Sequence, residues 1–138
     1  MKHIFIVEDI AETRLWLCEL VTRCFPQAKI RTADSLREAL RFDAPDCDLA
    51  LIDLGLPDGS GLDVLRMLGQ THPAAIKVVT TVMGDDASIV AALSAGAGGY
   101  LLKETDPSVF AWQLSQLSMG VPAISPAVAR RIMQHFRL

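Results

Sequence analysis

The sequence predicts a doubly wound α/β domain in which five parallel strands alternate with helices. Three observations lead to this fold class: apolar runs alternate with helical-period segments, the third run is apolar on both faces, and glycine or proline turns separate the elements. The 138 residues fit one domain with a real hydrophobic core. With 51% hydrophobic and 21% charged residues, the composition excludes a disordered chain.

The first part of the chain is predicted to form two strand–helix units. Leu17, Leu20 and Val21 recur at helical spacing on one face, which is typical of a helix packed on a sheet. Either Asp34 or Ser35 offers an N-cap for the second helix. The predicted elements are a strand at 4–7, a helix at 11–25, a strand at 28–32 and a helix at 35–42.

Three further strand–helix units follow. The segment DLALID predicts a central strand buried on both faces, and the turn GLPDGSG then leads into a helix. Asp85 or Asp86 caps the next helix, and Pro107 suits the first turn of the last one. The predicted elements are strands at 48–53, 76–81 and 98–102 and helices beginning near residues 61, 86 and 107.

Glycine and proline interrupt the pattern near residues 119–125, which predicts a main domain over 1–119 and a linker over 120–138. The linker contains an amphipathic helix with Val128, Ile132 and Phe136 on one stripe. We expect this stripe to pack on a partner outside these residues, either a missing segment or a second chain.

Charge and hydropathy exclude several classes of protein. The net charge is −3, and all 16 acidic residues lie within 1–120, so the main body is not a nucleic-acid binder. Two stretches, 87–102 and 107–129, contain no charged residue, but glycines interrupt the first, and prolines and a glycine interrupt the second. The N-terminus lacks a signal-peptide pattern. We therefore expect a cytoplasmic protein with no membrane contact. Its three cysteines show no disulfide or zinc spacing.

Charged residues stand at the carboxyl ends of three predicted strands. Glu8 and Asp9 follow the first strand, Asp53 ends the third and Lys103 follows the fifth. Because these strand ends meet at one edge of a parallel sheet, the side chains should converge there. An all-oxygen cluster of three carboxylates suits Mg²⁺ or Mn²⁺. A role in capping helices is the plainer alternative, and it explains one acid better than the whole set.

Thr81 closes the fourth predicted strand and should place a hydroxyl between Asp53 and Lys103. A carboxylate, a metal, a hydroxyl and a lysine together suit phosphoryl transfer, in which positioning and charge neutralisation supply most of the catalysis. The nucleophile in such a centre would be Asp53.

Four segments, IVED, LIDLGLPDGSGLDVL, VVTTV and GAGGYLLK, resemble the receiver domain of two-component response regulators. The resemblance covers residues 3 to about 118 and includes the intervals between the motifs. It implies a flavodoxin-like (βα)5 fold with strand order 2-1-3-4-5, followed here by a C-terminal linker helix.

The resemblance also implies the chemistry of the site. Asp53 would accept a phosphoryl group from a sensor histidine kinase, and Lys103 would bind the phosphoryl oxygens. Asp9, Asp53 and the carbonyl of Gly55 would hold Mg²⁺, with Glu8 assisting. Such a domain is not an enzyme in the usual sense, because it catalyses only its own phosphorylation and slow dephosphorylation.

Receivers signal through a conformational switch, and the resemblance assigns it to Thr81 and Tyr100. Thr81 would move to hydrogen-bond the phosphoryl group, and Tyr100 would turn inward with it. Half-buried packing is the ordinary alternative for a strand tyrosine. The expected readout surface comprises 89–95, Tyr100 and 107–117.

The tail GVPAISPAVARRIM resembles the linker of LuxR or NarL-type regulators, which join their receiver to a DNA-binding helix-turn-helix domain. We expect these residues to belong to such a transcription regulator, with DNA bound only through a C-terminal domain absent from this sequence. Phosphorylation would then favour a homodimer. The alternatives are a natural stand-alone receiver and a pseudo-receiver that binds partners without phosphorylation.

Four positions depart from the usual receiver pattern. Glu104 replaces the proline that commonly follows the lysine, and Val82 is bulkier than the usual alanine or glycine. We expect Val82 to slow small phosphodonors. Gly55 and Met83 offer no group to orient water, which predicts slow self-dephosphorylation. Gly55 also stands where haloacid-dehalogenase-like phosphohydrolases need a second aspartate, which makes that enzyme class the less favoured alternative.

Overall fold

A computed structural model describes residues 1–137 and shows a five-stranded parallel sheet. Its strands are β1 (His3–Val7), β2 (Lys29–Ala33), β3 (Leu49–Ile52), β6 (Ile76–Thr81) and β7 (Gly99–Leu102), and β4 (Gly55–Leu56) pairs with β5 (Gly59–Ser60) in a separate hairpin. The sheet order is β2-β1-β3-β6-β7, and each neighbouring pair is parallel. Counted along the chain, these five strands have the predicted order 2-1-3-4-5, which confirms the flavodoxin-like fold.

Helices cover both faces of the sheet. They are α1 (Ala11–Cys24), α2 (Leu36–Ala39), α3 (Gly61–Thr71), α4 (Asp86–Ser94), α5 (Pro107–Ser115) and α6 (Pro126–His135), with a short 3-10 helix at Leu117–Met119. Helices α1 and α5 bury apolar side chains in one core, and α2, α3 and α4 do so in the other. This two-sided arrangement is the predicted doubly wound architecture.

The strands divide their side chains between the two cores. Along β1, Ile4 and Ile6 face the α1 and α5 core, whereas Phe5 and Val7 face the opposite core. All four residues of β3 are buried because this central strand has a strand on each side and helices above and below. The continuous apolar run in DLALID therefore reflects burial of the strand on both faces.

Helix α2 is shorter than the segment 35–42 suggested. Ser35 is its N-cap, and the Ser35 hydroxyl accepts the N–H of Glu38. After Ala39 the backbone hydrogen bonds join residues three apart, as in a 3-10 helix: the N–H of Phe42 donates to the carbonyl of Ala39. Helix α4 has Asp85 as its N-cap, with the Asp85 carboxylate accepting the N–H of Ser88.

The turn after β3 packs tightly against the strand end. A Cβ atom at Gly61 would lie 2.1 Å from the carbonyl oxygen of Asp53, so no larger residue fits there without moving the backbone. The N–H of Gly61 also donates to the carbonyl of Leu54 at 2.9 Å. The glycine-rich turn thus brings α3 close to the strand end that carries Asp53.

The chain after α5 returns to the sheet. Residues Ala123–Ser125, called the edge segment below, run parallel to β7 on its outer side. Ala123 and Ser125 are both buried. The predicted linker therefore contacts the domain instead of leaving it directly.

The prediction that the stripe of α6 packs outside this chain is wrong. Val128 is fully buried in the same core as Tyr100, and Ile132 packs against that core. Helix α6 lies against α4 and β7 because the edge segment directs it there. Phe136, at the end of the stripe, remains 71% exposed. Leu138, the last residue of the predicted linker, lies outside the described residues.

Two general features of the backbone hold over residues 1–137. No helix in this range is long and apolar enough to cross a membrane. Within the same range every peptide bond is trans, so the bond between Lys103 and Glu104 is trans without the usual proline.

Candidate functional site

The predicted site residues lie at the carboxyl ends of the strands. Val7 and Ile52 are register partners in β1 and β3, so the residues that follow them, Glu8 and Asp53, emerge at the same level. The N–H of Asp53 donates to the carbonyl of Val7 at 3.0 Å, which extends the pairing by one residue. The parallel register therefore brings together two acids that are far apart in sequence.

Three carboxylates meet at this edge. One oxygen from each of Glu8, Asp9 and Asp53 lies within 4.8 Å of the others. Glu8 is fully buried, and Asp53 is 5% exposed. Hard oxygen donors at this separation fit a small divalent cation such as Mg²⁺, so the cluster is a candidate metal centre.

Lys103 supplies a cation at the same place. Its Nζ lies 2.7 Å from Oδ2 of Asp53 and also pairs with Oε1 of Glu8. Burial disfavours the ammonium form, but the hydrogen bonds to Asp53 and Glu8 outweigh it and raise the pKa of Lys103. The lysine therefore stays charged and holds Asp53 in place.

One lysine does not fully compensate three acids. Burial raises the pKa of Glu8 above its ordinary value, against the hydrogen bonds from Lys103 and from the N–H of Ile10. Arg14 is near, but its guanidinium donates to the backbone carbonyls of Glu8 and Asp9 at 2.8 and 3.4 Å, with no carboxylate contact among its hydrogen bonds. The excess negative charge favours binding of a further cation.

Gly55 lies beside Asp53. Its N–H donates to Oδ1 of Asp53 at 3.2 Å, and its backbone pairs with Ser60 in the hairpin. A Cβ at Gly55 would lie 2.9 Å from the methyl carbon of Met83, so the Met83 side chain packs over this glycine. The predicted role of the Gly55 carbonyl as a metal ligand stays a prediction.

Thr81 and Tyr100 are connected through the loop after β6. The Oγ1 of Thr81 accepts the N–H of Met83 at 3.3 Å. The Tyr100 hydroxyl donates to the carbonyl of Met83 at 2.5 Å, and Tyr100 is fully buried. Burial raises the pKa of Tyr100, which keeps the hydroxyl protonated as a donor. Tyr100 is thus directed inward, and both side chains contact the same loop residue.

Sequence reasoning missed two contributors. Arg14 is six residues beyond Glu8, and its position in the first turns of α1 was the available signal. Ser125 was expected in a linker, but its hydroxyl accepts the N–H of Leu102 at 2.9 Å and lies 2.7 Å from the hydroxyl of Thr105. No local pattern indicates a contact between residues 23 positions apart.

The fold and this site define the class of the protein. Residues 4–114 match the family model of the response regulator receiver domain. Because this match spans most of the chain, the protein belongs to the receiver-domain family of response regulators.

Two curated relatives place the chain within this family. It is 24% identical over 117 residues to the chemotaxis protein CheY of Thermotoga maritima, covering 85% of this chain and 98% of CheY. It is 28% identical over 138 residues to the DNA-binding transcriptional activator DevR/DosR of Mycobacterium tuberculosis. That alignment covers 99% of this chain and 64% of DevR/DosR, so the chain spans less than two thirds of this regulator.

A solved structure agrees with the predicted subfamily. The crystal structure of a LuxR-family two-component response regulator from Aurantimonas sp. SI85-9A1 superposes with a TM-score of 0.83 at 28% identity. The superposition covers 96% of each chain. The likeness to LuxR-type regulators, first suggested by the tail, is therefore also a structural one.

Proposed function

We propose that this domain is a phosphorylation-activated switch of a two-component system, with Asp53 as the phosphoacceptor. The observation that carries the proposal is the pairing of Asp53 with Lys103 inside a cluster of carboxylates. The carboxylate of Asp53 and a phosphoryl group are both negatively charged and repel each other. Their reaction therefore requires positive charge at the same place, which Lys103 provides. This is the arrangement that phosphoryl transfer requires.

The donor would be the phosphohistidine of a sensor histidine kinase. An oxygen of Asp53 attacks the phosphorus, the phosphorus–nitrogen bond of the donor breaks, and an acyl phosphate forms on Asp53. Lys103 already reaches Asp53 and would bind the phosphoryl oxygens as charge develops on them. Thr81 would exchange its contact with the Met83 amide for one with the phosphoryl group.

Glu8, Asp9 and Asp53 are the side chains that would hold Mg²⁺, with the Gly55 carbonyl as a backbone ligand. Mn²⁺ has the same preference for oxygen donors and would also be accepted. When bound, the ion supplies positive charge that reduces repulsion between the carboxylates and the phosphoryl oxygens. The protein's own contribution is to keep these oxygens converged at the ends of β1 and β3.

The domain would not act as a turnover enzyme. Gly55 provides no acid that could protonate a leaving group, and the apolar Met83 side chain packs over it. Neither residue can orient an attacking water, so we expect the acyl phosphate to decay slowly. A long-lived phosphorylated state suits a switch better than it suits a phosphohydrolase.

The output would be transcription regulation by a LuxR-type protein. DevR/DosR is named a DNA-binding transcriptional activator and matches this chain over 99% of its length, which supports this proposal. Residues 1–119 would be the phosphoacceptor domain, and 120–138 would lead to a DNA-binding domain that this sequence does not include. Homodimerisation on phosphorylation and a cytoplasmic location belong to the same proposal.

The test compares the parent protein with Asp53→Asn after incubation with Mg²⁺ and acetyl phosphate or a promiscuous histidine kinase. Intact mass would show one labile phosphoryl adduct on the parent and none on Asp53→Asn. The matched control is Asp43→Asn, since Asp43 is an exposed aspartate outside the site. It should be phosphorylated like the parent.

Size-exclusion chromatography of the same samples tests dimerisation. An earlier elution of the phosphorylated parent alone would support a phosphorylation-driven dimer. The absence of an adduct with both donors would contradict the proposed function and favour a pseudo-receiver. An adduct that persists on Asp53→Asn would show that the acceptor is another residue.

A further inference from the structure

The edge segment extends the sheet beyond β7. The N–H of Tyr100 donates to the carbonyl of Ala123 at 2.7 Å, and the N–H of Ser125 donates to the carbonyl of Tyr100 at 3.0 Å. Both main-chain polar groups of Tyr100 are therefore satisfied by residues that follow α5. Tyr100 belongs to the predicted readout surface, so the edge segment covers part of that surface.

Ser125 connects the edge segment to the loop that carries Lys103. Its Oγ accepts the N–H of Leu102 at 2.9 Å and lies 2.7 Å from the Oγ1 of Thr105. Leu102 precedes Lys103, and Thr105 follows it by two residues. Ser125 is 1% exposed, and its hydroxyl thus contacts the backbone of Leu102 before the lysine and the side chain of Thr105 after it.

Gln113 fixes the edge segment from α5. Its side-chain amide donates to the carbonyl of Ile124 at 3.1 Å, and its side-chain oxygen accepts the N–H of Ile124 at 3.3 Å. This reciprocal pair replaces a neighbouring strand on the outer side. The edge segment is therefore held between β7 and α5.

Helix α6 contacts the start of α4, next to the loop after β6. Arg131 pairs with Asp86 at 3.0 Å, in the first turn of α4. That turn directly follows the loop in which Met83 contacts Thr81 and Tyr100. Residues 123–135 thus contact the loop after β7 and the helix turn that follows the loop after β6.

We propose that the edge segment and α6 form a clip that is energetically coupled to the phosphoacceptor site, with Ser125 as a positioning residue for Lys103. The inference rests on the proposed function of Asp53 and adds how occupancy of that site is transmitted. Because coupling is reciprocal, a phosphoryl group changes the stability of the clip, and loss of the clip changes binding at Asp53. Coupling of this kind requires an element with two discrete arrangements whose equilibrium the phosphoryl group biases, and residues 123–135 are the candidate for that element.

The first experiment measures amide exchange by NMR in the whole chain with Mg²⁺, before and after addition of beryllium fluoride as a phosphoryl mimic. The amides of Tyr100 and Ser125 report directly on the clip, and that of Phe5 in β1 is the internal control. Fluorine NMR of the same sample reports whether the mimic is bound. Because Phe5 lies in a buried strand, its amide reports the gain in global stability that binding produces. We expect the Tyr100 and Ser125 exchange rates to differ from that global change by about threefold or more, a modest coupling energy.

The outcomes distinguish this inference from the proposed function. Bound beryllium fluoride with changes at Tyr100 and Ser125 that only match the change at Phe5 would overturn the clip and leave the phosphoacceptor role intact. Failure of the mimic to bind the parent protein would overturn the phosphoacceptor role, and the clip proposal would fall with it.

The second experiment removes the hydroxyl contact. Ser125→Ala should change the dissociation constant for beryllium fluoride by about fivefold, the equivalent of one buried hydrogen bond. Ser118→Ala, which alters an exposed serine of the 3-10 helix, should leave it unchanged. Thr105→Val should shift binding in the same direction as Ser125→Ala, and Thr105→Ser should restore it. Equal binding by Ser125→Ala, Thr105→Val and the parent would contradict a positioning role.

Discussion

The Nζ of Lys103 lies 2.7 Å from Oδ2 of Asp53, although 50 residues separate them in the sequence. The same ammonium pairs with Glu8, so one cation holds two buried carboxylates from two other strand ends. This relationship makes Lys103 the electrostatic centre of the site. It also implies that the protein depends on the lysine for stability as well as for the proposed phosphoryl binding.

Replacement of Lys103 tests this dependence. Lys103→Met leaves Glu8 and Asp53 buried without their cation, so the free energy of unfolding should fall by about 3 kcal/mol at neutral pH. Urea denaturation with and without Mg²⁺ measures the effect, and added Mg²⁺ should stabilise the variant more than the parent. Lys2→Met, at an exposed lysine, is the control. Equal stability of Lys103→Met and the parent would contradict the assignment.

Tyr100→Phe removes only the hydroxyl that contacts the Met83 carbonyl. We expect a loss of about 1 kcal/mol in the free energy of unfolding, because one hydrogen bond is lost without a cavity. Amide exchange in residues 82–85 should become faster, since this loop loses its link to β7. A variant with unchanged exchange in that loop would show that Tyr100 acts only through packing.

Val82→Ala tests access to the acceptor. Val82 is 68% exposed beside the buried Thr81, so its removal creates no cavity, and the free energy of unfolding should change by about 0.5 kcal/mol or less. The initial rate of phosphorylation by acetyl phosphate should rise because a smaller residue leaves the entrance more open. The rate is measured by intact mass. A rate equal to that of the parent would remove Val82 from consideration as a barrier.

Val128→Ala tests whether α6 docks on the domain in solution. Val128 is fully buried, so its truncation should lower the free energy of unfolding by about 2 kcal/mol. Met133→Ala on the same helix should cost about 0.5 kcal/mol or less, because Met133 is 74% exposed. Chemical denaturation of both variants gives the comparison. Similar small losses for the two would mean that α6 does not occupy this position.

Asp48 predicts a pH dependence outside the site. Its carboxylate accepts the N–H groups of Lys2 and His3, which lowers its pKa below the ordinary value of 3.8. An acid with a lowered folded pKa contributes stability above its unfolded pKa and loses it as pH falls through the folded value. The stability difference between the parent and Asp48→Ala should therefore be constant near neutral pH and shrink below pH 3.8.

Urea denaturation across this pH range measures the difference. Glu19→Ala changes the net charge equally at an exposed helical position and serves as the control. A difference between the parent and Asp48→Ala that grows as pH falls would contradict the sign of the linkage.

The sequence by itself determined the fold class, because the periods of its apolar residues are local properties. Burial on both faces leaves DLALID without alternation, and short polar side chains mark helix starts such as Ser35 and Asp85. The convergence of Glu8, Asp9, Asp53 and Lys103 also followed from sequence. Parallel strands necessarily place their carboxyl ends at one edge.

The tertiary structure alone decided how the C-terminal residues are used. The stripe of Val128 and Ile132 showed that α6 has an apolar face. An amphipathic pattern does not predict on which surface that face packs. The edge segment pairs with the outer edge of β7 because the main-chain N–H and carbonyl of Tyr100 would otherwise lack hydrogen-bond partners. The contact of Ser125 with Leu102 arises from this long-range pairing, and no local pattern encodes it.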